Sequence, residues 1–269
     1  MAIQHFAGSA STKICFAHAN GYPPGSYRPL LEALADFASV YTYDHLPLRM
    51  PEGPYKGVKW GHFADDYIAQ LQRAFDEPVV LLGHSLGGTV SMLTAAQQSS
   101  LCSRLILLDP VFIPPKLQLA MRLLPRSRRQ QMPMVRKALR RPDFFSDYTE
   151  AFQFHRKARA FTNFSDDALW GYIRAGFGER EDGVALRFSR EWEAEIYMSA
   201  PWVWSKLKRL STPTLGLVGE QSDVVYEPVI QRWRKTQKGV TIVPMQGGHL
   251  FPLESPDAVV PLVQEFILR

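Results

Sequence analysis

Gly83-His84-Ser85-Leu86-Gly87 stands directly behind the apolar run Val79-Val80-Leu81-Leu82. A strand that ends in a turn too tight for side chains at its two outer positions lifts the serine Oγ to the tip. The helix that follows then aims backbone N–H groups at the same spot. Thr89 to Ala96, rich in small residues, reads as that helix. A serine hydroxyl is a weak nucleophile at neutral pH, so it needs an imidazole to take its proton and return it to a leaving group. The imidazole in turn needs a buried carboxylate to fix its tautomer, and a tetrahedral intermediate needs N–H donors for its oxyanion.

The elements that would position such groups alternate along the chain. Lys13–Ala17 is a short apolar run followed by a Gly/Pro-rich turn. Tyr27–Phe37 has helical spacing, Val40–Tyr43 reads as a strand, and Trp60–Phe75 as a helix. The elbow strand and helix come next, then the run Leu105–Asp109. Near the C-terminus, Thr214–Val218 and Val240–Val243 read as strands, and Pro228–Lys235 and Pro256–Leu268 as helices. Alternation of this kind fits a mostly parallel sheet with helices on both faces. Only about a dozen residues precede Lys13, so one short leading strand, Ile3–Phe6, is expected and a sheet of about seven strands.

The stretch from residue 111 to 211 breaks the alternation. Its periods are helical and it is crowded with aromatics, from Phe144 to Trp204, which predicts a helical insertion over the strands' C-terminal ends, where open α/β sheets bind ligands. The expected organisation is a core of residues 1–110 and 212–269 with a cap of residues 111–211. Such a lid favours an apolar acyl or aryl pocket. The net charge of +5 also concentrates here: residues 111–211 hold 19 Lys and Arg against 11 Asp and Glu, and Lys116–Arg141 holds nine with no acid. The expected reading is a solvated helix face with the cations outward and Leu119, Leu123, Leu124, Val135 and Leu139 inward. The alternative is a run that draws an anionic substrate or an anionic membrane surface to the cleft.

At this point the chain resembles the α/β-hydrolase family over nearly its whole length. The elbow is one such feature. His18-Ala19-Asn20-Gly21 resembles the family's oxyanion loop, Gly219-Glu220-Gln221-Ser222-Asp223 its acid loop, and Gly247-Gly248-His249 with Glu254-Ser255-Pro256 its histidine loop and last helix. The resemblance implies Ser85 as nucleophile, His249 as base and Asp223 as acid, in the family's chain order. It also implies the backbone amides of Leu86 and Asn20 as oxyanion donors, with Ala19 or Gly21 as alternatives for the second. Glu220 and Asp109 are the alternative acids. Asp223 lies one residue beyond the commonest Gly-x-x-Asp spacing, and Asp109 ends the preceding strand, where some members carry the acid. Of the seven histidines, His249 alone sits in a Gly-Gly-His turn. His18 is expected to brace the oxyanion loop, His84 to face away from the serine, and His5, His45, His62 and His155 to pack or lie at the surface.

Serine at the elbow, in place of the aspartate of dehalogenases and epoxide hydrolases, implies acyl transfer to water. The expectation is a hydrolase that cleaves a carboxylic ester or thioester with an apolar acyl or alkyl part, using no cofactor and no metal. A carbon–carbon hydrolase, an acyltransferase and a ligand-binding receptor on the same fold are the alternatives. No nucleic-acid module accompanies the charge. No run approaches the ~18–20 apolar residues of a membrane span, and no signal peptide is evident. Cys15 and Cys102, each among apolar neighbours, read as buried free thiols. A cytoplasmic protein is expected.

Overall fold

The structure, a computed structural model, describes residues 2–53 and 56–269. The chain opens with β1 (Ile3–Ala7), β2 (Lys13–Ala17), α1 (Arg28–Ala35), β3 (Ser39–Tyr43), the single turn α2 (Leu46–Arg49) and α3 (Trp60–Ala74). It continues through β4 (Val79–His84), α4 (Leu86–Gln97) and β5 (Cys102–Leu108). A long insertion follows: α5 (Pro115–Leu123), α6 (Arg126–Arg129), α7 (Pro133–Leu139), β6 (Phe144–Phe145), α8 (Tyr148–Arg156), α9 (Asp166–Gly176), β7 (Phe177–Arg180), β8 (Gly183–Leu186), α10 (Arg190–Met198) and α11 (Trp204–Leu207). The chain closes with β9 (Thr214–Gly219), α12 (Glu227–Thr236), β10 (Thr241–Met245), α13 (Phe251–Glu254) and α14 (Pro256–Leu268).

Seven strands form one sheet in the order β1-β3-β2-β4-β5-β9-β10. Only β1 runs antiparallel to its neighbour, β3; the other pairs are parallel. The single leading strand and the seven-strand sheet match the sequence expectation. Strand residues alternate between two cores, as a period of two requires. Ile14, Phe16, Val80, Leu82, Ile106 and Leu108 pack on one face with α1 and α14. Cys15, Ala17, Leu81, Leu105 and Leu107 pack on the other with α3, α4 and α12. Because helices cover both faces, the central strands are apolar throughout rather than alternating with polar residues. Helix α4 is buried at ten of its twelve positions. Its small side chains let it lie close against the sheet on one side and the insertion's loops on the other.

The insertion is mainly helical, as expected, and adds one small sheet that the sequence reading did not include. Strands β6, β8 and β7 form a small antiparallel sheet, in which Arg180 pairs with Gly183 across a two-residue turn at Glu181-Asp182. Gly183 opens β8 at a place where a side chain would overlap the Phe145 carbonyl, a mark that the helical periodicity around it masked. Three insertion helices are capped by side chains: Asp147 accepts from the Glu150 N–H, Ser165 from Ala168 and Ser189 from Trp192. The inner faces of the insertion are continuous with the two sheet cores: Phe145, Phe161, Tyr172 and Phe177 join one, Phe188, Trp192 and Ile196 the other. His155 is buried among Phe145, Phe161, Tyr172 and Phe177, and burial lowers its pKa to about 4.

Candidate active site

Ser85 sits between β4 and α4 with φ 54° and ψ −114°. The two outer glycines explain why the chain can turn there. A side chain on Gly83 would overlap the backbone of Gly87 and Gly88, and one on Gly87 would overlap the carbonyls of Ala17 and His18 at the end of β2. The same close approach brings the loop after β2 against the first turn of α4. Leu86 is the first residue of that helix, where an amide has no intrahelical acceptor.

His249 follows β10 in the Gly247-Gly248 turn, and its Nε2 lies 2.9 Å from Ser85 Oγ. Its Nδ1–H donates to Asp109 Oδ2 at 2.6 Å. Asp109 is fully buried at the end of β5, and its carboxylate takes two further donors: the Gly219 N–H on Oδ1 at 2.9 Å and the Ser222 hydroxyl on Oδ2 at 2.6 Å. The carboxylate beside His249 is therefore Asp109, and the expectation of Asp223 is corrected. Asp223 is exposed, and no hydrogen bond or ion pair joins it to His249. The physical reason is a phase difference in the loop after β9. At the Gly-x-x-Asp position this chain has Ser222, which turns inward and donates, and Asp223 one residue later turns outward. The loop thus supports an acid carried by the neighbouring strand. Glu220, the other alternative, is exposed as well.

Ser85 and Asp109 are the only non-glycine residues with positive φ among the described residues, at 54° and 43°. Each such residue costs about 1–3 kcal/mol and persists where the surroundings over-determine it. Here the Ser85 N–H is held by the Leu108 carbonyl at 2.9 Å and the Asp109 N–H by the Leu217 carbonyl at 2.8 Å. Strand ends on both sides thus fix the two turns. A line of hydroxyl, imidazole and buried carboxylate is the geometry in which an imidazole can accept a serine proton and be stabilised while charged.

His84 is fully buried, and its Nε2–H donates to the His249 carbonyl at 2.8 Å. Its Nδ1 accepts from the Tyr27 hydroxyl at 2.7 Å, and Tyr27 Oη in turn accepts from the Ala19 N–H at 3.4 Å. This chain of bonds ties the loop after β2 to the histidine turn through the residue next to Ser85. Burial pushes the His84 pKa well down, so it stays neutral and keeps one donor and one acceptor. The signal available in sequence was weak: His84 occupies a variable position of the elbow, and Tyr27 reads only as the start of an amphipathic helix.

His18 braces its loop as expected. Its Nδ1–H donates to the Ala19 carbonyl at 2.8 Å, and it exchanges bonds with His45, whose N–H reaches His18 Nε2 at 3.3 Å and whose Nε2–H reaches the His18 carbonyl at 3.0 Å. Burial lowers the His18 pKa to about 4. Asn20 is buried and donates through Nδ2 to the Glu193 carbonyl of α10 at 3.2 Å. Over Gly21 lies the ion pair between Arg141 and Glu193, at 2.9 Å, with Arg141 also bonded to the Tyr172 hydroxyl. Insertion and loop are thus held together by buried polar contacts. Cys15 and Cys102 are buried free thiols, both pushed up to about 12 by burial.

The chain is similar to the peroxisomal membrane protein LPX1 of Saccharomyces cerevisiae, 29% identical over 202 residues that cover 70% of this chain and 52% of the yeast protein. It is similar to monoglyceride lipase of Rattus norvegicus, 31% identical over 113 residues covering 40% and 37%. The chain spans about half or less of the length of these relatives. Among solved structures, E-2-(acetamidomethylene)succinate hydrolase superposes with a TM-score of 0.82 at 18% identity over 99% of this chain and 94% of the other. The thioesterase domain from the curacin biosynthetic pathway superposes at 0.73 with 17% identity, covering 96% and 93%. At these identities the superpositions speak for the fold. The model of the alpha/beta hydrolase family matches residues 16–262, from β2 into the last helix, and the chain belongs to that family.

Proposed function

We propose that this hydrolase cleaves a carboxylic ester, or a thioester, with a largely apolar acyl or alkyl part, through an acyl-enzyme on Ser85. The observation that carries the reading is the continuous line from Ser85 Oγ to His249 Nε2 at 2.9 Å and from His249 Nδ1 to Asp109 Oδ2 at 2.6 Å. In this reading Asp109 is the acid. Ser85 Oγ attacks the carbonyl carbon as its proton passes to His249 Nε2, and the carbonyl π electrons move onto oxygen. The amides of Leu86 and Asn20 receive that oxyanion; the Ala19 amide faces Tyr27 Oη instead, which favours Asn20 as the second donor. Collapse of the intermediate breaks the bond to the alcohol or thiol, which takes the proton from His249. Water then repeats the sequence against the acyl-enzyme and releases the acid.

Apolar specificity is supported by what covers the site. Phe188 packs edge-on to His18 at 6.1 Å, and Trp192 and Ile196 of α10 belong to the same buried cluster as Leu86. The relatives named as monoglyceride lipase and the neighbour named as a thioesterase domain fit that class. The insertion acts as the cap of this site, over a core of residues 1–110 and 212–269. No helix among the described residues is long and apolar enough to cross a membrane. With its two buried thiols the chain suits a reducing compartment, and the cytoplasm is its proposed location.

The test is a rate series on p-nitrophenyl esters of increasing acyl length, with one thioester and one anionic ester, alongside labelling by a fluorophosphonate probe. Labelling and turnover are expected together, with kcat/KM rising with acyl length, and both are expected to vanish in Ser85→Ala. Protein that labels poorly and turns over none of the series would overturn the reading in favour of a ligand-binding protein.

A further inference from the structure

The basic run folds as α5, α6 and α7, laid over α10 and the chain just beyond it. Gln118 on α5 donates to the Ala200 carbonyl at 3.1 Å. Arg126 on α6 grips Glu195 through two bonds of 2.8 and 2.6 Å, and Arg129 donates to the Met198 carbonyl at 3.0 Å. Val135 and Ala138 of α7 pack with Ala194 and Met198. These contacts account for the inner side of the layer.

The outer side corrects the sequence expectation of leucines turned inward. Of the five residues expected inside, only Val135 is buried. Leu119 is 56% exposed, Leu123 77%, Leu124 39% and Leu139 40%, and they are joined by Leu117 at 53% and Met134 at 49%. Six of the eleven exposed large apolar side chains among the described residues fall in this one stretch, so the exposure is concentrated rather than scattered. On α5, Leu119 and Leu123 are one turn apart on a stripe, with Lys116 beside them and buried Gln118 on the opposite arc. Among these apolar residues stand Lys116, Arg128, Arg136, Lys137 and Arg140. All five are exposed and take part in none of the ion pairs among the described residues.

We propose that the outer face of α5–α7 docks on an anionic lipid surface, its leucines entering the acyl boundary and its cations meeting headgroup phosphates. Charge complementarity selects this occupant. A second copy of the chain in a two-fold contact would set cations against cations over an area without an acid, and a neutral apolar partner would leave five cations unanswered. A surface of anionic lipid satisfies both components at once, since interfacial helices combine buried apolar area with attraction to anionic headgroups.

Flotation of the intact chain with vesicles tests it, using phosphatidylcholine alone and phosphatidylcholine with phosphatidylglycerol as about a third of the lipid. Binding is expected to be at least about tenfold tighter to the anionic vesicles and to weaken as salt screens the charges. Leu119→Ser with Leu123→Ser, and separately Arg136→Gln with Lys137→Gln, are each expected to weaken it about tenfold. Hydrolysis of a soluble short-chain ester is expected to stay within about twofold in both, as these changes lie on an exposed face. Equal binding to both vesicle types, no binding to either, or binding indifferent to the leucine pair would overturn the proposal. So would a dimer seen by light scattering that the leucine variant dissolves, which would assign the face to a second copy. Ser85→Ala is expected to bind vesicles as the unaltered chain does, so vesicle docking and ester chemistry fail or stand separately.

Discussion

Around Ser85 the hydroxyl, imidazole, carboxylate and supporting serine face one another at 2.6–2.9 Å, whereas on the outer side of α5–α7 leucines and cations face away from the rest of the described chain. Both regions are rich in polar groups, but burial separates them. A buried polar group left unpaired is costly, so at the end of the sheet each group dictates its neighbour's place. On the exposed face no such constraint acts, and side-chain identity there answers to what the face meets. Polar residues at the sheet end therefore define a chemistry, and those on the insertion's outer face define an environment.

The largest effect that could break this comparison lies at the acid. Asp109→Asn is expected to lower kcat about 10⁴-fold by presenting the wrong hydrogen-bond partner to His249. Asp223→Asn is expected to stay within about twofold, since its side chain is exposed. A crippled Asp223→Asn beside an active Asp109→Asn would invert the assignment. Next comes the ion pair within the insertion that lies over Gly21 of the loop after β2. Glu193→Ala strands Arg141 in a largely buried site and is expected to cost about 3–5 kcal/mol in urea unfolding. A loss under about 1 kcal/mol would mean that the pair is solvated after all.

The buried histidines sharpen the comparison through pH. His18 has a folded pKa of about 4 against an ordinary value near 6.5, so the unfolded chain binds the extra proton between those values. Its contribution to stability is present above pH 6.5 and is lost as pH falls toward 4. From His18 alone, moving from pH 7.5 to 5 should cost about 2 kcal/mol. His84 and His45, also pushed down by burial, add in the same direction. Unfolding midpoints in urea across that range check it, and a flat profile would contradict burial of the neutral rings. Smallest of all should be Leu119→Ser, within about 0.5 kcal/mol of stability because the side chain is already in water. Phe177→Ala, on the inner side of the same insertion, should cost about 3–5 kcal/mol.

These contrasts also mark how far the sequence could be read. The elbow was legible because Gly83 and Gly87 are required by backbone overlap, a constraint written in residue type. The sheet was legible because strands of period two, covered on both faces, leave long apolar runs. The acid was not, because Asp109 and Asp223 both stand after strands that end beside His249, and only the inward turn of Ser222 decides between them. His84 was unreadable for a related reason: its partners, Tyr27 and the His249 carbonyl, are set by docking of distant segments. On α5, helical spacing told which leucines share a stripe, but spacing carries no information about whether that stripe meets protein or something else. The small sheet of the insertion left only Gly183 as a mark in the sequence and was lost among helical periods.

The left-handed backbones of Ser85 and Asp109 bear differently on engineering. Glycine at Ser85 would relax a conformation that serine holds only under constraint. The relief, about 1–3 kcal/mol, exceeds the ~0.5–1 kcal/mol that glycine adds to the entropy of the unfolded chain. Glycine at Asp109 would relax similar strain but take the acceptor from the Gly219 N–H, the Ser222 hydroxyl and His249 Nδ1–H, a larger loss. On the proposed reading, a library selected for thermal resistance alone would therefore drift toward glycine at Ser85, and lose the nucleophile, while it kept Asp109.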